Sequence, residues 1–583
     1  MKIFTKHLAY FFQKSLWSIS QYFLVLTLIT LSVTNGFGQR AHTYEGPVYT
    51  QNQTLTYYQA VDAYQKLDAK YPNAKLFTLG NSDSGFPIYC FIASNNKVSD
   101  WEDLSESKRI FMINNGIHPG ESCGVDASLE WVAKVLETSP QFLDSVDLAI
   151  IPMYNVGGSL NRRPATRANQ KGPEGQGFRG NAKHLDLNRD FLKADSKNTI
   201  LFYHLFRKLK PTVFIDNHSS NGANYIYNTS LIISPPEKIG KNWESLIKKD
   251  LLPTVYQQLI EKGTKATHYV NVHGKGPQNG YAVFGETPIY SSGYAGLWPC
   301  WSIVSETHML KPYKDRVVST YRTLDVFANL LHQRGQDLEK TWNLDNEQQF
   351  STGEIPLVFE IDSTKTQKLL FEGYTEVFSP SKVYKGQRRS FDTNQPYKME
   401  IPYYHALKPT LTAQIPKTIY ISQAQSEVLT RIYAQGIIGD TIVLPKKELF
   451  TAHIQEVAYA EKAYEGHVIA TLKYKWKVWD SGYYLPVVAF QVNSGNYRYL
   501  LNVLSPMAPG SFYRWNFFDS YYQQKEYFSD YIYEDDVEQQ IKSIPGYQPK
   551  ETQSPYAALF EFYKKDEALF EKDAFTPPVF IEF

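Results

Sequence analysis

The sequence predicts an α/β domain, a mixed and mostly parallel sheet flanked by helices, followed by a β-rich C-terminal region. Three observations carry this reading. Short, largely apolar runs of strand length recur between residues 88 and 305, and helical periodicity fills the intervals between them. After about residue 345 the text changes to extended segments broken by turn residues. Strands buried on both faces and alternating with amphipathic helices are the pattern of helices packed on a largely parallel sheet.

The first 38 residues read as a signal peptide. Lys2, Lys6, His7 and Lys14 form a basic start, residues 22–33 are almost wholly apolar, and Gly36 and Gly38 are small residues at the two positions a signal peptidase reads. Cleavage would leave Gln39 or a neighbour as the mature start. The apolar run is shorter than the roughly 20 residues that span a bilayer. No later run is long and apolar enough to cross one, and no Cys follows that could carry a lipid anchor. The expectation is export to the periplasm or the exterior of a bacterial cell, with no stable membrane span after cleavage; an uncleaved anchor is the alternative.

A helix is predicted over 53–71, ended by Pro72, then strands at 88–93 and 109–113 and a helix over 121–136. Strands at 147–152, 211–215 and 301–305 follow, interleaved with helices at 196–209, 241–262 and 315–333. Together they define a first domain over 50–340. Within the second region, 345–583, strands are expected at 358–361, 383–390, 397–404 and 468–479, with turns at 386–389 and 439–440. A helix near 422–434 and an aromatic tail (515–519 and 527–533) complete it.

Composition narrows the function classes. The chain has 583 residues, 43% hydrophobic and 20% charged, with a formal net charge of +1. That balance offers no electrostatic case for a nucleic-acid partner. The 43 Tyr and 34 Phe read as core and sheet residues rather than a glycan platform. Three cysteines, Cys90, Cys123 and Cys300, are too few for a disulfide scaffold and suit no Cys-based zinc site.

Several polar clusters stand where a buried strand ends, which is where open α/β sheets bind ligands. In Asn114-Asn-Gly-Ile-His118-Pro-Gly-Glu121, a His and a Glu three apart can turn toward one point, as a metal with nitrogen and oxygen ligands requires. His218 ends the run Phe214-Ile-Asp-Asn-His218, and Glu306 directly follows Ile303-Val304-Ser305. Between them lies Asp186-Leu-Asn188-Arg189-Asp190, whose guanidinium is a fixed fork of donors suited to a carboxylate. Singly, each has a bland reading as a helix-start acid, a loop histidine, a surface turn or an edge charge.

In this order the clusters resemble the zinc metallocarboxypeptidase family, of which carboxypeptidase A is the familiar example, as an exported bacterial member with a C-terminal β-rich extension. The resemblance covers about residues 55–340. It implies a carboxypeptidase-like fold and one zinc ion per chain, held by His118, Glu121 and His218. It also implies Glu306 as the general base that takes a proton from the attacking water and gives it to the leaving amine. Asn188 and Arg189 match the pair that binds the substrate's terminal carboxylate, and Asp186 the partner that orients His118. Arg167 is the best match to the arginine that stabilises the oxyanion, with Arg163 as its rival. Tyr290 resembles the mobile tyrosine that closes over the carboxylate, with Tyr294 close enough to compete.

The chain departs from the family pattern in the short spacing from Tyr290 to Glu306 and in the Thr307-His308-Met309 that follows the base. The expected substrate is a peptide with a free C-terminal carboxylate, with cell-wall peptides as an alternative. The absence of Asp and Glu from 291–301, together with Leu297 and Trp298, hints at an apolar terminal residue. Two rival functions remain, a peptidoglycan peptide amidase of the same fold and an inactive peptidase-like surface binding protein.

Overall fold

The computed structural model describes residues 43–522 and 577–583 apart from 97, 99, 102–103, 105–107, 275 and 480–484. The predicted signal peptide and the second half of the aromatic tail, 527–533, lie outside the described residues.

Eight strands form the central sheet. They are β1 (Ala74–Asn81), β2 (Pro87–Ala93), β3 (Arg109–Asn115), β4 (Val146–Ile151), β5 (Val213–Ser220), β6 (Thr229–Ile233), β7 (Ala266–His268) and β8 (Trp301–His308). Their order across the sheet is β1-β2-β4-β3-β5-β8-β6-β7. The pairs β3–β4, β3–β5, β5–β8 and β6–β7 are parallel, and the pairs β1–β2, β2–β4 and β6–β8 antiparallel. The central strands β4 and β5 are buried at every position, as helices covering both faces demand. β1, β6 and β7, near the sheet's edges, were not expected from the sequence because their apolar runs are brief or alternate only weakly.

Helices cover the sheet. The first, α1 (Tyr57–Lys70), starts at a capping box in which Thr56 accepts from the Gln59 amide and the Gln59 side chain accepts from the Thr56 amide. The second, α2 (Cys123–Thr138), begins two residues beyond Glu121, and α3 (Lys197–Leu209) is capped by Ser196 and ends at Lys210 in the left-handed region. The predicted helix 241–262 is found as α4, over 241–261, continuous but with a wider turn over Leu246–Leu251. The last, α5 (Tyr313–Ser351), runs 39 residues, well past the predicted end at 333. Gly335 hid that continuation. A Cβ there would meet the side chain of Arg109, so a residue that usually weakens a helix stands where another side chain crosses closely. Leu338 and Trp342 then carry the buried face onward.

The C-terminal region is β-rich. Strands Thr366–Pro380 and Gln387–Tyr404 form one long hairpin, and Glu354–Ile361 pairs with Leu407–Gln414. A six-stranded sheet is built from 418–422, 440–443, 449–459, 470–479, 486–491 and 579–582, and residues 579–582 lie between the first and third of these. The strand expected at 383–390 is corrected: the hairpin turn occupies 381–386 and the strand starts at 387, so the expected turn at 386–389 is displaced as well.

This sheet shares its core with the first. One apolar cluster runs from Phe111 and Tyr203 to Ile419, Phe490 and Tyr499. Across the junction, Trp298 stacks on Tyr499 at 5.9 Å, Tyr294 donates to Gln435 at 2.6 Å and Arg207 donates to the Gln435 carbonyl at 3.1 Å. The predicted boundary near 340–345 falls inside α5. Cys90, Cys123 and Cys300 are free and buried. Among the described residues no helix is long and apolar enough to cross a membrane.

Because the two sheets bury one core, a chain ending at residue 351 is expected to lack a cooperative thermal unfolding transition, whereas the full chain shows one. Circular dichroism melts of the two forms check this, and a sharp transition in the short form would establish a self-sufficient first domain.

Candidate metal centre

The site is built where β3, β5 and β8 end side by side. After β3 the chain turns at Gly116, whose φ of +69° places it in the left-handed region. His118-Pro119-Gly120-Glu121 then leads into α2. At the start of that helix Gly124 has no room for a Cβ against Asn115 and Asn217, so the helix end sits directly over the strand ends. Buried amides tie the strands together. Asn115 accepts from the Asn217 side chain at 2.9 Å, and Asn114 donates to Asp216 at 3.3 Å. On neighbouring parallel strands His218 and Glu306 are register partners and so share a face.

Ligand-type atoms of His118, Glu121 and His218 lie within 4.8 Å of one another, and all three residues are buried. Each imidazole is held from outside. His118 Nε2 meets Asp186 Oδ1 at 2.8 Å, and His218 Nε2 meets Asp216 Oδ2 at 2.8 Å. A carboxylate at Nε2 keeps the ring proton there and directs the Nδ1 lone pair inward. Both Nδ1 atoms face Glu121, 3.2 Å from Oε1 for His118 and 3.0 Å from Oε2 for His218. His118 Nδ1 is buried and makes no hydrogen bond. Two inward nitrogens, one left without a donor, and one carboxylate fit a cation with three protein ligands and an open position, the arrangement zinc takes in catalytic sites.

Electrostatics keep the acids charged. Burial opposes ionisation of Glu121, but His118 and Arg167 beside it hold its carboxyl well below the usual range. Asp186 is likewise held low, against its burial, by His118, Arg179 and Arg189. Glu306 differs. Burial pushes its carboxyl up to about 7, with the Glu121 charge adding to the effect and His218 opposing it. Its Oε2 is buried without a protein partner. A carboxylate with a raised pKa and a free oxygen is suited to accept and return a proton.

The remaining predicted residues gather nearby. Arg167 Nη2 lies 2.8 Å from Glu121 Oε1, whereas Arg163 is exposed in a short ladder with Gln176. Asn188 accepts from the Ser291 amide at 3.0 Å. The Arg189 guanidinium sits over the Tyr290 ring at 4.5 Å. Tyr294 is fully buried, stacked on Tyr203 and bonded to Gln435, so it is a core residue.

Two corrections follow. Trp298 does not line a pocket. It is buried against Tyr499 with Arg207 over its face, and Leu297 packs on the same core, so these two residues do not support an apolar pocket. Sequence reasoning also missed Arg179, which bridges Asp186 Oδ2 at 2.8 Å and Glu121 Oε1 at 3.4 Å. Seven residues before Asp186 in a glycine-containing loop, it carries no spacing that would mark it.

Residues 60–274 match the family model described as zinc carboxypeptidase. The chain carries a zinc carboxypeptidase domain. It is a metallopeptidase, and the matched stretch includes His118, Glu121, Asp186, Asn188, Arg189 and His218, while Glu306 lies beyond it. No curated protein matches the chain. Among solved structures, a metallo-carboxypeptidase from Pseudomonas aeruginosa in complex with (2-guanidinoethylmercapto)succinic acid is 15% identical over 48% of this chain and 69% of its own, with a TM-score of 0.36. A metallo-carboxypeptidase from Burkholderia cenocepacia is 17% identical over 48% of this chain and 70% of its own, with a TM-score of 0.36. Carboxypeptidase A from Helicoverpa armigera is 14% identical over 54% of this chain and 82% of its own, with a TM-score of 0.37.

The outer carboxylates give this zinc carboxypeptidase domain a test that does not depend on turnover. Asp186→Asn should lower zinc affinity about 10–100-fold while leaving the fold intact. Titration against a chromogenic chelator measures it, and an unchanged affinity would reduce Asp186 to a loop-ordering role.

Proposed function

We propose that this chain is an exported metallocarboxypeptidase that removes the C-terminal residue of peptides, with His118, Glu121 and His218 as zinc ligands and Glu306 as general base. The observation that carries the reading is the convergence of these four residues at adjoining strand ends, with the Asn188–Arg189 pair beside them. The catalytic unit is assigned to residues 50–340, with 345–583 as an accessory region that completes its core. Export rests on the basic and apolar pattern of residues 1–38.

Bound zinc would supply a Lewis acid that lowers the pKa of a water and polarises the scissile carbonyl. The protein's own groups do the rest. Arg189, with Tyr290 over its face, binds the terminal carboxylate, and Asn188 offers an amide beside it. That grip selects the last peptide bond by fixing the distance from the chain end to the reacting carbonyl. Glu306 takes the proton of the attacking water on its unpartnered Oε2 and passes it to the leaving nitrogen. Arg167, close to Glu121, stabilises negative charge developing on the carbonyl oxygen.

Glu306→Gln should retain one zinc per chain and lose about 10²–10⁴-fold in kcat, the range for removing a positioned base. N-blocked peptides analysed by mass spectrometry should lose single C-terminal residues with the parent protein. Internal cleavage, or a Glu306→Gln protein that keeps its rate, would sink the assignment.

A further inference from the structure

The C-terminal region sends one turn onto the segment that holds Asn188 and Arg189. Strands Leu449–Tyr459 and Ala470–Trp479 pair antiparallel, and the chain between them narrows to a two-residue turn at Glu465 and Gly466. The Tyr464 amide donates to the His467 carbonyl at 2.7 Å and the His467 amide donates back at 3.0 Å. Glu465 and Gly466 have φ of +50° and +84°, both left-handed, as a type I′ turn requires. Gly, Asn and Asp are the residues suited to the first of these positions, and a glutamate there is disfavoured by its own Cβ.

The glutamate has a specific contact. Its Oε2 accepts from the backbone N–H of Asp186 at 2.7 Å. Beside it the Tyr464 hydroxyl accepts from Arg189 Nε at 3.0 Å, while the Tyr464 ring stacks on Trp515. Two residues later His467 Nε2 meets Asp195 Oδ2 at 2.8 Å. The turn therefore grips both ends of the loop from 186 to 195, which carries Asn188 and Arg189.

The consequence falls on the guanidinium. Its Nε is taken by Tyr464, Nη1 donates to the Asn188 carbonyl at 2.7 Å, and one face is covered by Tyr290. A long, flexible side chain is thereby held with Nη2 left for an incoming carboxylate. Ordering of that kind, completed before the ligand arrives, removes a cost from binding.

We propose that Tyr464 and Glu465 are positioning residues of the carboxylate subsite, so that preference for a free C-terminus depends on the C-terminal region. This rests on the role of Arg189 given above. The test uses the full-length, zinc-loaded Glu306→Gln protein, which does not consume its ligand. Calorimetry compares an N-blocked peptide bearing a free C-terminal carboxylate with the same peptide amidated at that end.

The parent should bind the free acid more tightly. Tyr464→Phe, which keeps the ring against Trp515, should shrink that preference roughly tenfold, the scale of a lost hydrogen bond to a charged group. Glu465→Ala should act in the same direction, and Glu465→Gln, which keeps an acceptor oxygen, should restore most of the preference, with zinc content and melting temperature unchanged. A preference that persists in Tyr464→Phe and Glu465→Ala, or an equal loss for both peptides, would overturn the proposal while leaving Arg189 in its role. No preference in the parent would remove Arg189 from carboxylate recognition and the proposal with it.

Discussion

Two imidazoles buried beside one carboxylate set the terms for everything around them. A buried ring nitrogen must find a partner or lose what water would give it. Both rings answer by handing their outer N–H to an aspartate, and the inner lone pairs are then fixed in direction. Asp216 does this from two positions before His218 on the same strand, because the pleat returns i and i+2 to one face. Asp186 cannot use that device. It comes from a loop and has to be held there by Arg179, by its contact with Asn188 and by Glu465. One imidazole is therefore secured by local geometry and the other by chain from distant parts of the protein.

The C-terminal region is continuous with this arrangement. Its helix residue Tyr499 stacks on Trp298, its sheet shares one apolar cluster with Tyr203, and its turn reaches the loop behind His118. Arg431 and His467 converge on Asp195, at the far end of that loop. A region without chemical motifs of its own thus supplies walls and struts to a site made by other residues.

What could be read in advance follows from range. The His118–Glu121 spacing, the strand-terminal His218 and Glu306, and the DLNRD run are local patterns, and local patterns survive in a sequence. The strands that carry them were visible because burial on both faces leaves an uninterrupted apolar run. The end of α5 was hidden by Gly335, whose reason lies in Arg109, on a strand distant in sequence. Arg179 was missed because its meaning depends on where a loop returns. Tyr464 and Glu465 touch residues some 275 positions earlier, and nothing in their own neighbourhood announces it. Trp298 misled for the complementary reason: an aromatic beside a site in sequence faced a second core, not the pocket.

The strand at 579–582 has a bearing on how the molecule is made. It lies inside the six-stranded sheet, between strands 418–422 and 449–459, yet it is synthesised after both. Until it arrives, Ile419 and Ile421 on one side and Phe450 on the other lack their neighbour. The middle of that sheet is filled by a strand far along the chain from both of its neighbours. Closing that sheet therefore depends on residues that follow every other strand in it along the chain.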